Sequence, residues 1–528
     1  MKQESNTQIG RQNGCRTRRQ ESLSTQPREN PIAQRRLLTP SSALKHFVLV
    51  LVLGLAGPAM LASSHYQAVL SLDAQNNRTG AEGAPLIQAN DGLLYGTTEN
   101  GTNYGTVFRV RKDGTGYQII YSFTGAADGG YPRSGVIEGN DGALYGTATQ
   151  AGAGNYGTFF RLNKDGTGFR VLHSFSGYPN DGSHLDEETS SENELLQGSD
   201  GALYGITQQG GTYDLGTAYR LNKDGSGYTI LHHFGQPIQA DCPAYDWDYG
   251  QEPCGGLIEG SDGSLYGTAL VGGQGGICDG PGGFNYWSSG VVFKMAKDGS
   301  GYTILHSFTA GLGASYLKAT LIEGRDGALY GTADNFADQS CPYIDSGAVF
   351  RLNKDGSGYQ VLHFFDASGD VPSHRLLQGD DGALYGTTGR GGTNDNGIVY
   401  TLGNDGTGYK VLYTFQHQPP YWEYYPARGL VKASDGDFYG STVGPGGQVI
   451  YRISPSQTPD MLTVRKSGDA MQVVFSGASG YNYQLLRSTD LKTWSPFTTI
   501  TMPASGFSTN LDNSPPTPKA FYRAAWLP

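Results

Sequence analysis

Three segments of the chain gather aromatic rings beside carboxylates and amides. The first holds Tyr245, Asp246, Trp247, Asp248 and Tyr249. The second holds Tyr286 and Trp287, just after Phe284 and Asn285. The third holds Tyr421, Trp422 and Glu423. Such mixtures suit a sugar or a protein partner, because rings pack on apolar faces while polar groups fix orientation. The same rings would also pack beneath long loops, and the sequence leaves both readings open. Carboxylates invite glycan hydrolysis or elimination, and hydrolysis needs a facing pair. Asp186, Glu187, Asp246, Asp248, Glu252 and Glu423 are candidates, but no spacing singles out a pair, so no catalytic residue is assigned.

Other residue types lead to similar restraint. Cys242, Cys254, Cys278 and Cys341 lie in or near the same segments. An even set in an exported chain favours disulfides, with Cys242–Cys254 and Cys278–Cys341 preferred on proximity among three pairings. Zinc would need a CxxC pair or spaced histidines, and neither occurs. Histidine recurs at one position (His173, His232, His306, His363), but a position repeated around a fold is set by packing. The stretch Asn-Lys-Asp-Gly-Ser-Gly lacks the acidic alternation of a calcium loop. Its composition is that of a hairpin turn. No Gly-x-Gly follows a strand and opens a helix, so no dinucleotide site is expected. The expectation is therefore no metal and no cofactor.

These segments interrupt a repeat. Asp-Gly-x-Leu-Tyr-Gly begins at Asp91, Asp141, Asp200, Asp262, Asp326 and Asp381, and Asp435-Gly-Asp-Phe-Tyr-Gly440 is a seventh copy. Each unit reads as four short strands: a Leu-Ile pair, Leu-Tyr-Gly-Thr, Gly-Thr-Val-Phe-Arg-Leu and Tyr-x-Val-Leu-His-Ser-Phe. Asp-Gly turns join the first strand to the second and the third to the fourth. The other two connections vary in length, so fixed turns fall on one end of the sheets and variable loops on the other. Seven such units predict an all-β fold, a seven-bladed β-propeller over residues 65–453. The seventh unit stops after its third strand, Gln448 to Ile453. The missing strand stands at the other end of the chain, as Tyr66 to Leu72, and would close the ring.

The hexapeptide, with Gly-Thr-Val-Phe-Arg-Leu and Asp-Gly-x-Gly-Tyr-x-Val-Leu-His-Ser-Phe, resembles the GloVer (choice-of-anchor) tandem repeat over residues 66–453. The resemblance implies an exported bacterial protein and carries over no catalytic residue. Members often end in a sorting signal, but no Leu-Pro-x-Thr-Gly occurs here. Residues 454–459 read as a linker. Residues 460–528 resemble a small Ig- or fibronectin-III-like β-sandwich, in which Trp494 and Trp526 are expected to fill the core.

Composition agrees. The chain has 528 residues, 80 of them glycine, with a formal charge of −11. Residues 1–64 read as a signal peptide: a long basic region, the apolar run Phe47 to Ala62, then small residues. Without them 28 basic and 45 acidic residues remain, a net charge of −17, which argues against nucleic acid. The expected protein is an exported monomer, extracellular, at the cell surface or periplasmic, with no membrane span after cleavage. It would bind a glycan or surface protein through its variable-loop face. A structural scaffold and a glycan hydrolase or lyase are the alternatives.

Overall fold

The computed structural model describes residues 66–72, 85–99, 104–183, 195–235, 250–272, 290–308, 314–315, 317–336, 347–365, 371–372, 374–393, 395–415, 417–418, 421–422, 426, 428–442, 448–454, 462–467, 470–476, 482–501, 507–515 and 520–527. The predicted signal peptide and linker lie almost wholly outside them. All regular structure in this set is β, arranged as many small antiparallel sheets in a β-propeller-like fold.

Seven sheets follow the repeat. Sheet 1 runs Ile87–Gln88, Leu94–Thr98, Thr106–Val110, Gln118–Ser122, and sheets 2 to 6 repeat this order. Sheet 7 contains Val431–Lys432, Phe438–Thr442 and Gln448–Ile453, and its fourth strand is Tyr66–Leu72. In sheets 1 to 6 the third–fourth pairing shifts register once, as between Val107 and Phe108. Tyr66–Leu72 shows the same bulge between Ala68 and Leu70, so it is built like every other fourth strand.

The hexapeptide locks each first turn. Asp Oδ2 accepts a hydrogen bond from the tyrosine hydroxyl four residues on, at 2.7–3.1 Å in all seven copies. Oδ1 accepts the backbone N–H two residues on, and the first glycine takes the positive φ the turn requires, 78° at Gly327. Tyr330→Phe should therefore cost about 1 kcal/mol, read as a shift in the urea midpoint with unchanged slope.

The second glycine of the motif has another purpose. It sits inside the second strand, where an aromatic ring of the third strand lies over it. An added Cβ at Gly331 would meet Phe350 at 2.5 Å, and at Gly205 it would meet the Tyr219 hydroxyl at 2.4 Å. Packing, not turning, requires this glycine.

Residues 462–527 form two three-stranded antiparallel sheets around Val473, Tyr483 and Leu485. Trp494 does not join that core, contrary to expectation. It is half-buried, donates to the Leu491 carbonyl at 3.3 Å, and faces the Arg523 guanidinium 4.4 Å from its ring centre. Arg523 gives it a polar neighbour that a closed core would not tolerate. The Trp526 side chain lies outside the described set.

Candidate functional site

The antiparallel order places the Asp-Gly turns at one end of every sheet and the variable loops at the other. The two ends differ in chemistry.

At the turn end, the residue closing each first strand reaches into the turn of the preceding sheet. Glu138 Oε2 accepts Asn90 N–H at 2.7 Å. Gln197 does the same for Asn140, Glu259 for Ser199, Glu323 for Ser261 and Gln378 for Arg325, at 2.7–2.9 Å. Gln88 of sheet 1 accepts Ser434 N–H of sheet 7 at 2.6 Å. Between sheets 6 and 7 the link is ionic, Lys432 with Asp380. Lysines from the outer hairpins brace this belt: Lys297 meets Glu259 and Ser199, and Lys354 meets Glu323 and Ser261. Burial opposes charge on Glu259 and Glu323, but the lysine and serine contacts outweigh it and hold both carboxyls below their ordinary range. Carboxylates held in this way accept hydrogen bonds and do not donate protons near neutral pH.

An open depression of about 1250 Å³ lies here, between the turns of sheets 2 to 5, with Asn140, Gln197, Ser199, Glu259, Glu323 and Arg325 in its wall. Sequence reasoning missed these residues. The signal was present, since Glu or Gln recurs at the end of six first strands and Asn, Ser, Arg or Asp precedes each Asp-Gly.

The predicted recognition residues fall in the segments of variable length. Tyr245, Asp246, Trp247, Asp248, Tyr249, Tyr286, Trp287 and Glu423 lie outside the described residues, as do Asp186, Glu187, Cys242, Cys278 and Cys341. Tyr421–Trp422 is a short strand pairing with His417–Gln418. The roots of the loops are described. Gln251 pairs with Val271 and Pro253 with Ala269, so the end of the segment before residue 250 and the start of the segment after residue 272 are neighbours on sheet 4. The loop carrying Trp422 is rooted between sheets 6 and 7, at Phe415 and Pro426. Cys254, at the base of the first loop, is buried, and its Sγ accepts a long hydrogen bond from Gln208 at 3.8 Å. Burial raises the carboxyl of Glu252 nearby.

The repeated histidines pack between sheets. His173 stacks on Tyr228 of the next sheet at 3.7 Å, and His232 on Tyr302, His306 on Tyr359 and His363 on Tyr409 do the same at 3.8–4.0 Å. Burial first, and the neighbouring His233 second, push His232 down to about 4. The folded protein thus favours the neutral ring, whereas the unfolded chain takes up a proton near 6.5. This stability is present above that value and lost as pH falls toward 4. His232→Phe keeps the stack and removes the titration. Between pH 7 and pH 4.5 it should lose roughly 1–3 kcal/mol less stability than the parent, measured by urea unfolding at both pH values.

Residues 61–275, 183–340 and 278–484 match the Gloeobacter/Verrucomicrobia repeat. No curated protein matches the chain. Among solved structures, the extracellular domain of a hybrid two component system from B. thetaiotaomicron is 11% identical with a TM-score of 0.44. That match covers 79% of this chain and 45% of the other, so this chain spans less than half of it. A fungal alcohol oxidase in complex with copper is 10% identical with a TM-score of 0.42, covering 85% of this chain and 97% of the other.

Proposed function

The chain belongs to the Gloeobacter/Verrucomicrobia repeat family, and from that premise we propose that it is an exported, non-catalytic binding module that recognises a glycan or surface protein through its variable-loop end. Residues 1–64 are its signal peptide, the seven sheets are the seven blades of a closed propeller over 65–453, and 460–528 is a small Ig-like sandwich. The closing contacts support the ring: Tyr66–Leu72 completes sheet 7, and Leu72 and Ile450 share a core with Phe108 and Val110 of sheet 1.

One observation carries the functional reading. At the turn end the polar groups are spent on the same inter-sheet links in sheet after sheet, whereas the loops at the other end differ in length and carry the tryptophans. A scaffold that repeats at one end and diversifies at the other holds recognition at the diverse end. Hydrolysis would need two facing carboxyls of opposed protonation. Among the described carboxyls with a defined shift, only Glu252 is raised.

Trp247→Ala, Trp287→Ala and Trp422→Ala combined should abolish retention on the glycan or surface-protein array that captures the parent chain. Unchanged retention would sink the proposal.

A further inference from the structure

The fourth strands of sheets 2 and 3, Arg170–Ser174 and Thr229–His233, carry histidine at one repeat position, in different company. His173 Nε2 meets Asp181 Oδ2 at 2.9 Å, and that carboxylate also accepts the Tyr228 hydroxyl and the Ser176 N–H. Burial opposes the charge on Asp181, but these bonds outweigh it and hold the carboxyl below its ordinary range. A proton added to His173 therefore lands beside an anion. His232 is placed otherwise. Its Nε2 is buried and meets no hydrogen-bond partner among the described residues.

The described groups around His232 offer a proton no counter-charge. On its own strand the neighbour is His233, whose Nδ1 accepts the Thr212 N–H at 3.1 Å. The third strand of sheet 3 sets Ala218 opposite His232 and brings the cation Arg220 opposite Thr229. Sheet 4 brings Tyr302, stacked at 3.8 Å, whose phenol is kept protonated by burial, and the cation Lys294 opposite Thr303. Phe234 meets the ring edge-on at 4.9 Å. Glu252 stands two residues past Gly250, and burial favours its uncharged form.

The ring also sits at a junction. Gly235, three residues after His232, donates its N–H to the Gly250 carbonyl at 3.1 Å and so joins the two ends of the segment 236–249. Gly250 in turn lies on Tyr302, where an added Cβ would meet the hydroxyl at 3.0 Å. Imidazole, phenol and the Gly250–Gly235 bond thus form one chain of contacts. A positive ring over the Tyr302 face gains some cation–π attraction. An unpaired buried charge costs more than that attraction returns, and the charge reaches water only by leaving the stack.

We infer that His232 is an acid-operated release for this junction: protonation of its imidazole drives the ring off Tyr302 and parts Gly235 from Gly250 while the sheets stay intact. The inference goes beyond the binding-module reading and does not depend on it, since the junction is followed through its backbone and not through a ligand.

Hydrogen exchange read by mass spectrometry on the full chain, at pH 7 and pH 4.5 and corrected for the intrinsic effect of pH, provides the test. The fragment holding Phe234 and Gly235 should exchange at least about tenfold faster at pH 4.5, because local opening is linked to proton uptake. The fragment holding Phe175 and Ser176, beside His173 and Asp181, should not change. His232→Phe keeps a ring on Tyr302 and should abolish the response at Gly235. In the parent alone the rise should follow uptake of one proton, a reading that holds even where the variant fails to fold. An unresponsive parent, an equal response in His232→Phe, or a loss of protection in all sheets together would each overturn the inference, and none of them touches the proposed function.

Discussion

Deleting residues 66–72 is expected to cost more stability than any point change in the chain. The strand contributes six registered positions against Gln448–Ile453. It buries Leu72 completely, packs Val69 and Leu70 against the sheet 1 core and stacks Tyr66 on Tyr413 at 4.0 Å. At about 1.5–3 kcal/mol for each large apolar side chain returned to water, the loss is on the order of 5–10 kcal/mol, comparable to the whole stability of a domain. It also bares the edge of Gln448–Ile453, a template for pairing with other chains. The chain beginning at residue 73 should melt far below the parent and elute as aggregates in size-exclusion chromatography. A synthetic peptide of residues 65–73 should restore part of the melting temperature. A truncated chain that stays monomeric with the parental melting temperature would remove Tyr66–Leu72 from its place as the fourth strand of sheet 7.

The second large effect is expected at Gly331. A methyl group there would meet Phe350 at 2.5 Å and Leu321 at 2.8 Å, both in the fully buried interior of sheet 5. Neither can retreat without opening the core, so Gly331→Ala should cost about 2–3 kcal/mol, and valine more. Gly327→Ala, four residues earlier, is the informative contrast. Its added Cβ meets nothing closer than Glu323 at 3.8 Å, and only its φ of 78° penalises the change, so about 1 kcal/mol is expected. Phe350→Leu should recover part of the Gly331→Ala loss but none of the Gly327→Ala loss, with urea unfolding measuring both cycles. Equal losses at the two glycines would refute the packing account.

The strands and their order were legible because period-2 apolar patterning and Asp-Gly turns act over short distances. Tyr66–Leu72 was legible as a stranded fourth strand because the seventh unit lacked one. The second glycine of the hexapeptide was not, since its neighbour ring lies across a strand pairing and composition cannot distinguish a turn glycine from one that makes room. The belt escaped for a similar reason. Glu259 reads locally as the last residue of a strand, and its partner Ser199 stands 60 residues away in another sheet. Trp494 was misplaced because size alone suggested burial, whereas Arg523 offered its face a partner at the surface.

The link between Lys432 and Asp380 sets sheet 7 apart from the other sheets of the repeat. Elsewhere the belt joins a neutral or acidic acceptor to a backbone N–H, a connection indifferent to which repeat stands next to which. At this seam the residue closing the first strand is itself a cation, so a repeat inserted between sheets 6 and 7 would part Lys432 from its carboxylate. An engineer lengthening or shortening the protein should leave this seam whole, together with the Arg325–Asp380 pair between sheets 5 and 6 and the Lys112–Asp435 pair between sheets 1 and 7. The same asymmetry gives an otherwise repetitive chain a fixed point from which its sheets can be counted.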